Sequence, residues 1–357
     1  MAYISPILTD SFHLVVSSRL RTAITLLRGP VDAARWLDSL PERVDQACSR
    51  WGLTPLTVAE DGAMSCCVYA TDRYGAAVVL KIPHEAEAGR LEAVALTLWS
   101  ASGASPSVVA LDESLGELLM ERVLPGTVAC PDAGPEAANR LADLMSRLYG
   151  GDAANTTVEG ALGDIIEMRL GWADERFAET ENTTGLELVR AARVEAFALL
   201  ASGGRYDVLH GDLQPKNILV GRGGNWFVID PFACRGDRHT DAAFWSVMQD
   251  SPTTVDQRIA EIATATDLDE ERLHSWARVF AVAELRPYVP AMAARMVAFL
   301  RRGECVGGLS GDVVGRLATV AGLHGADVLP GGQTTSGFAP TYTAAPSVFS
   351  TSSPQEK

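Results

Sequence analysis

Lysine is almost missing from this sequence. Only Lys81, Lys216 and Lys357 are lysine, and arginine carries the rest of the positive charge. Positive charge as a whole is short: 30 basic residues face 45 acidic ones, for a net charge of −15. That balance disfavours nucleic acid and anionic membrane surfaces as partners. No run of apolar residues approaches the length of a membrane span without a charge interrupting it. Residues 1–28 lack the ordered basic head, apolar centre and small-residue cleavage site of a leader, because Asp10, His13, Arg19 and Arg21 break the apolar pieces. A cytoplasmic location is therefore expected. The six cysteines (Cys48, Cys66, Cys67, Cys130, Cys234, Cys305) show no C-x-x-C and no regular spacing. Cys66 and Cys67 adjoin in an apolar strand and point to opposite faces, so buried reduced thiols are expected, with neither disulfide nor zinc. No internal repeat and no sign of a protein partner is visible.

What is present suits a sizeable globular core: 357 residues, 47% hydrophobic and 21% charged. Leu14 to Leu27 has a helical look. Pro30 precedes a second helical stretch that Pro41 is expected to break, and Pro41 to Trp51 reads as another helix. A strand-rich section follows. Strands are expected at Thr54 to Ala59, Cys66 to Thr71, Ala76 to Ile82, Val108 to Leu111 and Glu117 to Met120. Turns fall at Glu60 to Ser65, Asp72 to Gly75 and Asp112 to Gly116. One helix, His84 to Ala101, interrupts the strands. After Glu121 to Thr127 the chain turns helical. The spacing predicts helices at Pro135 to Tyr149, Leu162 to Phe177, Gly185 to Ala201, Asp241 to Gln249, Asp269 to Pro287, Pro290 to Arg302 and Asp312 to Leu323. Pro135 suits a first turn and Asp269 a helix start. The composition from Leu329 to Lys357 is that of a disordered tail. The domain reading is thus an N-terminal extension (1–30), a sheet-based lobe (31–123), a helical lobe (124–328) and a tail (329–357).

Two short stretches organise the chemistry. His210-Gly211-Asp212-Leu213-Gln214-Pro215-Lys216-Asn217 reads H-G-D-x-x-x-x-N, and Asp230 closes the apolar run Trp226 to Ile229. Ile218 to Val220 and a Gly-rich turn at Gly221 to Gly224 lie between them. The pattern is loop, strand, tight turn, strand, acid. It delivers two carboxylates and a carboxamide to one point. Phosphoryl transfer from a nucleotide uses that set: one carboxylate to orient a hydroxyl and accept its proton, and an Asn and an Asp to hold magnesium.

The loop differs from the protein-kinase H-R-D-x-x-x-x-N by Gly211, and Pro231 follows the metal-site acid. It resembles the aminoglycoside phosphotransferase family, most closely the branch of streptomycin 6-kinases and hydroxyurea phosphotransferases. The resemblance runs from roughly Trp36 to Leu300. It implies an α+β, two-lobed, protein-kinase-like fold, with a small antiparallel N-lobe and a larger, mainly helical C-lobe. It also implies ATP or GTP as phosphoryl donor with Mg²⁺, and a small-molecule antibiotic or hydroxylated metabolite as acceptor.

Residue roles follow. Asp212 is the expected base, and Asn217 and Asp230 the expected magnesium ligands. Lys81, in an apolar strand, needs a partner because a buried ammonium is costly. Glu85, Glu87 and Glu92 are within reach along the next helix, and the family's E-x-x-x-L pattern selects Glu92. The resemblance places Lys81 on nucleotide phosphates, Gly62 and Ser65 in the phosphate-covering turn, and Glu121 and Val123 at the hinge beside the base. His210 is expected to orient the loop. Asp241 belongs to a G-D-x-x-x-D motif from Gly236 and is expected at a helix start, bracing the loop backbone. His239 is expected as a surface or cap residue. Lys216 either contacts substrate or γ-phosphate, which that position faces in a loop of this kind, or points to solvent; as a contact, its charge fits an anionic or neutral acceptor better than a polycation. Glu167, Asp174, Glu175, Glu179 and Glu284 form either an acidic wall for ammonium groups or solvated helix faces.

Only ten residues separate Asp230 from Asp241, and no A-P-E motif follows. A protein kinase needs a long platform there, so a protein acceptor is disfavoured. The leading expectation is phosphorylation of a streptomycin-type aminoglycoside, conferring resistance. The alternatives are a self-resistance kinase for a nucleoside-type antibiotic, a kinase for an amino sugar or other metabolite, and a nucleotide-binding pseudokinase.

Overall fold

The structure, a computed structural model, describes residues 12–60, 62, 64–129, 135–150, 158, 160–203 and 206–302. The expected helix at Asp312 to Leu323 and the tail from Leu329 lie outside the described residues. The chain forms two compact units. The first takes the described residues up to Arg90 together with Val108–Arg122, and the second takes Leu91–Ser107 together with the described residues from Val123 onward.

In the first unit α1 (Ser18–Trp51) packs on an antiparallel sheet. Its strands are β1 (Thr54–Val58), β2 (Ser65–Thr71), β3 (Ala77–Pro83), β4 (Val108–Asp112) and β5 (Glu117–Glu121), in the order β1-β2-β3-β5-β4. Alternation along the strands makes the core face: Cys66, Val68 and Ala70 of β2 and Val78, Leu80 and Ile82 of β3 pack with Leu20, Ile24, Leu40, Val44 and Ala47 of α1. Residues expected in a separate N-terminal extension thus contribute to this core. Glu117, with no exposed surface, takes Arg43 and Arg50 of α1 on its two oxygens, at 2.8 and 3.0 Å. The helix breaks at Gly29 (φ 74°, ψ 162°), and Pro30 opens the second half, where a missing N–H costs nothing. Pro41 does not break the helix. Pro41 lies on the exposed side, while Leu40 and Val44 stay in the core. Burial of that stripe outweighs the ~3 kcal/mol cost of an interior proline.

Helix α2 (Ala86–Ser100) begins in the first unit and continues into the second. The second unit holds β6 (Pro125–Val128), β7 (Tyr206–Leu209), β8 (Ile218–Gly221), β9 (Trp226–Val228) and β10 (Cys234–Asp237). Its helices are α3 (Pro135–Tyr149), α4 (Leu162–Glu179), α5 (Thr183–Ala201), α6 (His239–Met248), α7 (Val255–Ala265), α8 (Glu270–Ala283) and α9 (Pro290–Arg302). Helices α4, α5, α6 and α8 pack against one another, and α3 packs on α7. Strands β6, β8 and β9 make one small antiparallel sheet, and β7 pairs β10 in another. Strands β6, β7 and β10 were not expected, and neither was α7. Asp269 caps α8 as anticipated, accepting from the Arg272 N–H at 2.7 Å. Among the described residues Cys48, Cys66, Cys67 and Cys234 are free thiols, and no helix is long and apolar enough to cross a membrane.

Candidate active site

The site is assembled by two strand pairings within the second unit. Strand β7 delivers the loop that begins at His210, and β10 carries the chain away after Asp230, with Leu209 opposite Cys234. The Phe232 N–H donates to His210 O at 2.8 Å, closing that end. Strands β8 and β9 form the expected hairpin, and the Ile229 N–H donates to Asn217 O at 3.0 Å just beyond it. Asp212, Asn217 and the start of Asp230 are thereby held around one short loop. Asp230 has φ 57°, a left-handed conformation that costs a non-glycine residue about 1–3 kcal/mol and recurs at functional positions.

Asn217, nearly buried, folds back on Asp212. Its Nδ2 donates to Asp212 Oδ2 at 2.7 Å and to Asp212 O at 2.9 Å. With both donor bonds directed there, the carboxamide Oδ1 is its remaining acceptor. Gly211 sits at φ 71°, and a Cβ on it would lie 2.8 Å from Phe232 O. This close crossing of the two loop ends explains why glycine stands where protein kinases carry arginine.

Asp241 lies in the first turn of α6 but does not cap its own helix. Its Oδ2 accepts the His210 N–H at 2.7 Å and the Tyr149 hydroxyl at 2.5 Å, and its Oδ1 accepts the Gly211 N–H at 2.9 Å. One carboxylate thus carries both amides at the head of the loop. Burial pushes its pKa up, against the pull of His210 and these donors. His210 has no exposed surface. Its Nε2–H donates to Ile229 O at 2.9 Å, and its Nδ1 accepts from the Asp212 N–H at 3.2 Å. Both ring nitrogens are engaged by backbone, and burial pushes the imidazole pKa down, so the ring is a neutral strut. Trp99 stacks on it, centroids 6.0 Å apart and planes 4° from parallel.

Sequence reasoning missed three groups. Tyr149 is one; burial beside Asp241 pushes its hydroxyl pKa well up, which keeps it a donor. Asp237 is the second. It accepts from His239 Nδ1 and Arg272 Nε, each at 2.5 Å, and from Trp276 Nε1 at 2.8 Å. Burial works against its charge, but these donors hold the carboxyl well below its usual range. His239 is accordingly a bridge, since its Nε2 also accepts the Asp269 N–H at 3.1 Å. The third is Arg169 of α4, whose Nη2 donates to Asp212 Oδ1 at 2.7 Å. No local signal marks it out from the other arginines.

The acids considered for substrate contact are largely matched by arginine. Glu167 and Asp174 both take Arg193, and Glu284 is buried between Arg169 and Arg286. Glu284 is pulled down to about 2: burial opposes its charge, and Arg169, Arg286 and Arg176 more than reverse that. Lys216 is exposed on the 3₁₀ turn Pro215–Asn217, one residue from Asn217. In the first unit, Lys81 is buried on β3, on the face opposite Leu80 and Ile82, with Cys67 and Leu118 as its cross-strand neighbours. Ser65 begins β2, Gly62 lies in the turn before it, and Glu121 ends β5, exposed. Glu92 is buried on α2 within the second unit, where Val123 also lies.

Residues 50–285 match the family described as aminoglycoside/hydroxyurea antibiotic resistance kinase. A hydroxyurea phosphotransferase of Kitasatospora aureofaciens is 29% identical over 262 residues, covering 71% of this chain and 74% of its own. A streptomycin 6-kinase of Streptomyces glaucescens is 26% identical over 257 residues, covering 68% and 80%. Among solved structures, a choline kinase of Streptococcus pneumoniae aligns with a TM-score of 0.53 at 14% identity, over 80% of this chain and 99% of that one. That likeness speaks for the fold, which is α+β and protein-kinase-like. Loop, fold and a match spanning well over half the sequence agree: the chain belongs to the aminoglycoside/hydroxyurea antibiotic resistance kinase family, and it is a small-molecule phosphotransferase.

Proposed function

We propose that this chain moves the γ-phosphate of ATP or GTP directly onto a hydroxyl of a small antibiotic. The observation that carries the reading is the Asp212–Asn217 pair, locked together and tied by the Asn217 carbonyl to Ile229, the residue before Asp230. Asp212 orients the acceptor hydroxyl. The acceptor oxygen forms a bond to Pγ as the bond from Pγ to the β–γ bridging oxygen breaks. The nucleoside diphosphate leaves with that electron pair, and Asp212 accepts the hydroxyl proton. Lys81 is the proposed contact to the nucleotide phosphates, with Gly62 and Ser65 in the covering turn and Glu121 and Val123 near the base.

The residues fit magnesium. Asn217 and Asp230 offer hard oxygen donors, and no cluster of three or more His, Cys, Asp or Glu side chains suited to a metal exists among the described residues. A two-ligand site suits an ion that arrives with the nucleotide and keeps phosphate and water oxygens. When bound, the ion would neutralise charge on the transferring phosphate. His210 and Asp241 serve as loop supports.

A streptomycin-type acceptor is the first reading of the substrate. A neutral hydroxylated acceptor is favoured by one observation: Glu167, Asp174 and Glu284 are already paired with arginine, while Lys216 is exposed beside Asn217. The test incubates the protein with Mg²⁺, ATP or GTP and a panel of streptomycin, other aminoglycosides, hydroxyurea, nucleoside antibiotics and amino sugars. Mass spectrometry then looks for addition of one phosphoryl group, about 80 Da, the mass that phosphoryl transfer adds. Addition lost in Asp212→Asn supports the reading, and the labelled compound identifies the class. Addition that survives Asp212→Asn overturns the assignment of Asp212.

A further inference from the structure

We infer that Arg169 is the positioning residue for Asp212, supplying from helix α4 the cation that the H-G-D loop itself cannot carry. The inference rests on the proposed role of Asp212. Position 211 has no room for a side chain, because a Cβ there meets Phe232 O at 2.8 Å. Arg169 reaches the loop from another element. Its Nη2 donates to Asp212 Oδ1 at 2.7 Å and to Gly211 O at 3.0 Å, and its Nη1 donates to Glu284 Oε1 at 2.7 Å. The guanidinium lies 4.2 Å from the centroid of Phe244 and 5.7 Å from that of Phe232. Flat rings and a planar fork together leave the group little freedom.

A purely structural reading would make Arg169 a tie between α4 and α8. That tie exists without it. Arg176 lies seven residues on, on the same face of α4, and its Nη2 donates to Ala283 O, the residue before Glu284. Glu284 in turn takes Arg286 on its other oxygen, at 2.9 Å. The second prong of the Arg169 fork goes to the loop.

The consequence for Asp212 is geometric. Oδ1 is held by Arg169 and by Gln214 Nε2 at 2.8 Å, and Oδ2 receives Asn217 Nδ2 at 2.7 Å. The carboxylate cannot turn about its last torsion without breaking these bonds. Oδ2, with a lone pair to spare, is the oxygen that meets the acceptor hydroxyl. Lysine cannot replace the fork, since one ammonium cannot hold Asp212, Gly211 O and Glu284 in a single plane.

The test compares wild type, Arg169→Lys, Glu284→Gln, Asp212→Asn and Arg169→Lys/Asp212→Asn. Release of ADP from MgATP is followed with streptomycin, with hydroxyurea and with water alone as acceptor. Melting temperatures and nucleotide affinity are measured alongside. We expect Arg169→Lys to lower kcat ~100-fold with KM for ATP within about threefold, as a displaced reacting group does. Glu284→Gln, which leaves the prong on Asp212 but loosens the other, should lose about three- to tenfold of kcat, by the same reasoning. In the Asp212→Asn background the lysine substitution should cost little more. Full kcat in Arg169→Lys, or the same loss with and without Asp212, overturns the inference. If Arg169→Lys does not fold, the kcat of Glu284→Gln decides, and an unchanged kcat with raised KM overturns it. Absence of ADP release by wild type would count against the proposed function alone. The crystal structure of Arg169→Lys then decides: an Asp212 carboxylate rotated off Asn217 supports positioning, and one left in place overturns it.

Discussion

Gly211 shows how a single position can be dictated by a neighbour distant in sequence. Its φ of 71° and the carbonyl of Phe232 leave space for hydrogen alone. Gly211→Ala should cost about 1–3 kcal/mol for the strained backbone. It should also lower phosphoryl transfer ~100-fold by displacing Asp212. Thermal melts and ADP release check the two effects separately, and a variant with native melting and native turnover would remove the steric argument. Some of this was legible in the sequence. His210, Asp212, Asn217, Asp230 and Asp241 stand together because local spacing and the β8–β9 hairpin fix them. Arg169 and Tyr149 were not legible, because their partners lie far along the chain, and Asp237 stood in the G-D-x-x-x-D motif without showing that Arg272 and Trp276, 35 and 39 positions on, would meet it. Tyr149 meets Asp241 across 92 positions and Arg169 meets Asp212 across 43. No periodicity encodes such pairs.

At the scale of elements, periodic segments declared themselves and short ones did not. Helices α3 and α9 have the bounds their patterns predict, and the strands of the first unit deviate by a residue or two. Strands β7 and β10, four residues each, exist through pairing with one another across the segment that carries the candidate site. Helix α7 carries a signature that is readable in the sequence. Thr254 and Gln257 form a capping box, with the Gln257 N–H on the Thr254 hydroxyl at 3.2 Å and the Thr254 N–H on Gln257 Oε1 at 2.8 Å. Thr254→Ala should destabilise the fold by about 1 kcal/mol while leaving nucleotide affinity unchanged. A urea titration reads it, and a midpoint identical to wild type would mean the cap contributes nothing measurable. Proline gave the opposite error at Pro41, where packing of Leu40 and Val44 carries the helix through a residue that local rules make a stop.

For the whole molecule, the buried titratable groups set the response to acid. His84, on the carbonyl of Met64 at 2.9 Å, is lowered to about 4, by burial first and by Arg28. A lowered histidine binds its proton later in the folded chain than in the unfolded one. Its contribution is therefore complete above the ordinary value of 6.5 and is lost as pH falls towards 4. Glu284, depressed to about 2, contributes above its ordinary 4.5 and loses that contribution as pH falls towards 2. Asp237 acts in the same direction, while Asp241, pushed up by burial, opposes them. Urea midpoints should thus decline in two stages, first between about pH 6.5 and 4 and then below 4.5, as these pKa shifts dictate. His84→Gln should shrink the first stage and leave the part that His210, also lowered by burial, contributes, and a midpoint constant from pH 7 to 4 in wild type would contradict it.

The stacking of Trp99 on His210 has an optical consequence. An indole 6.0 Å from an imidazole, and nearly parallel to it, changes its surroundings when that ring moves. His210 bonds through both nitrogens to the segment bearing Asp212 and Ile229, so any event that loosens the segment also frees the ring. The emission of Trp99 is therefore a built-in reporter. With the other six tryptophans replaced, Trp99 would serve as a fluorescent gauge of whether the proposed catalytic loop is in order.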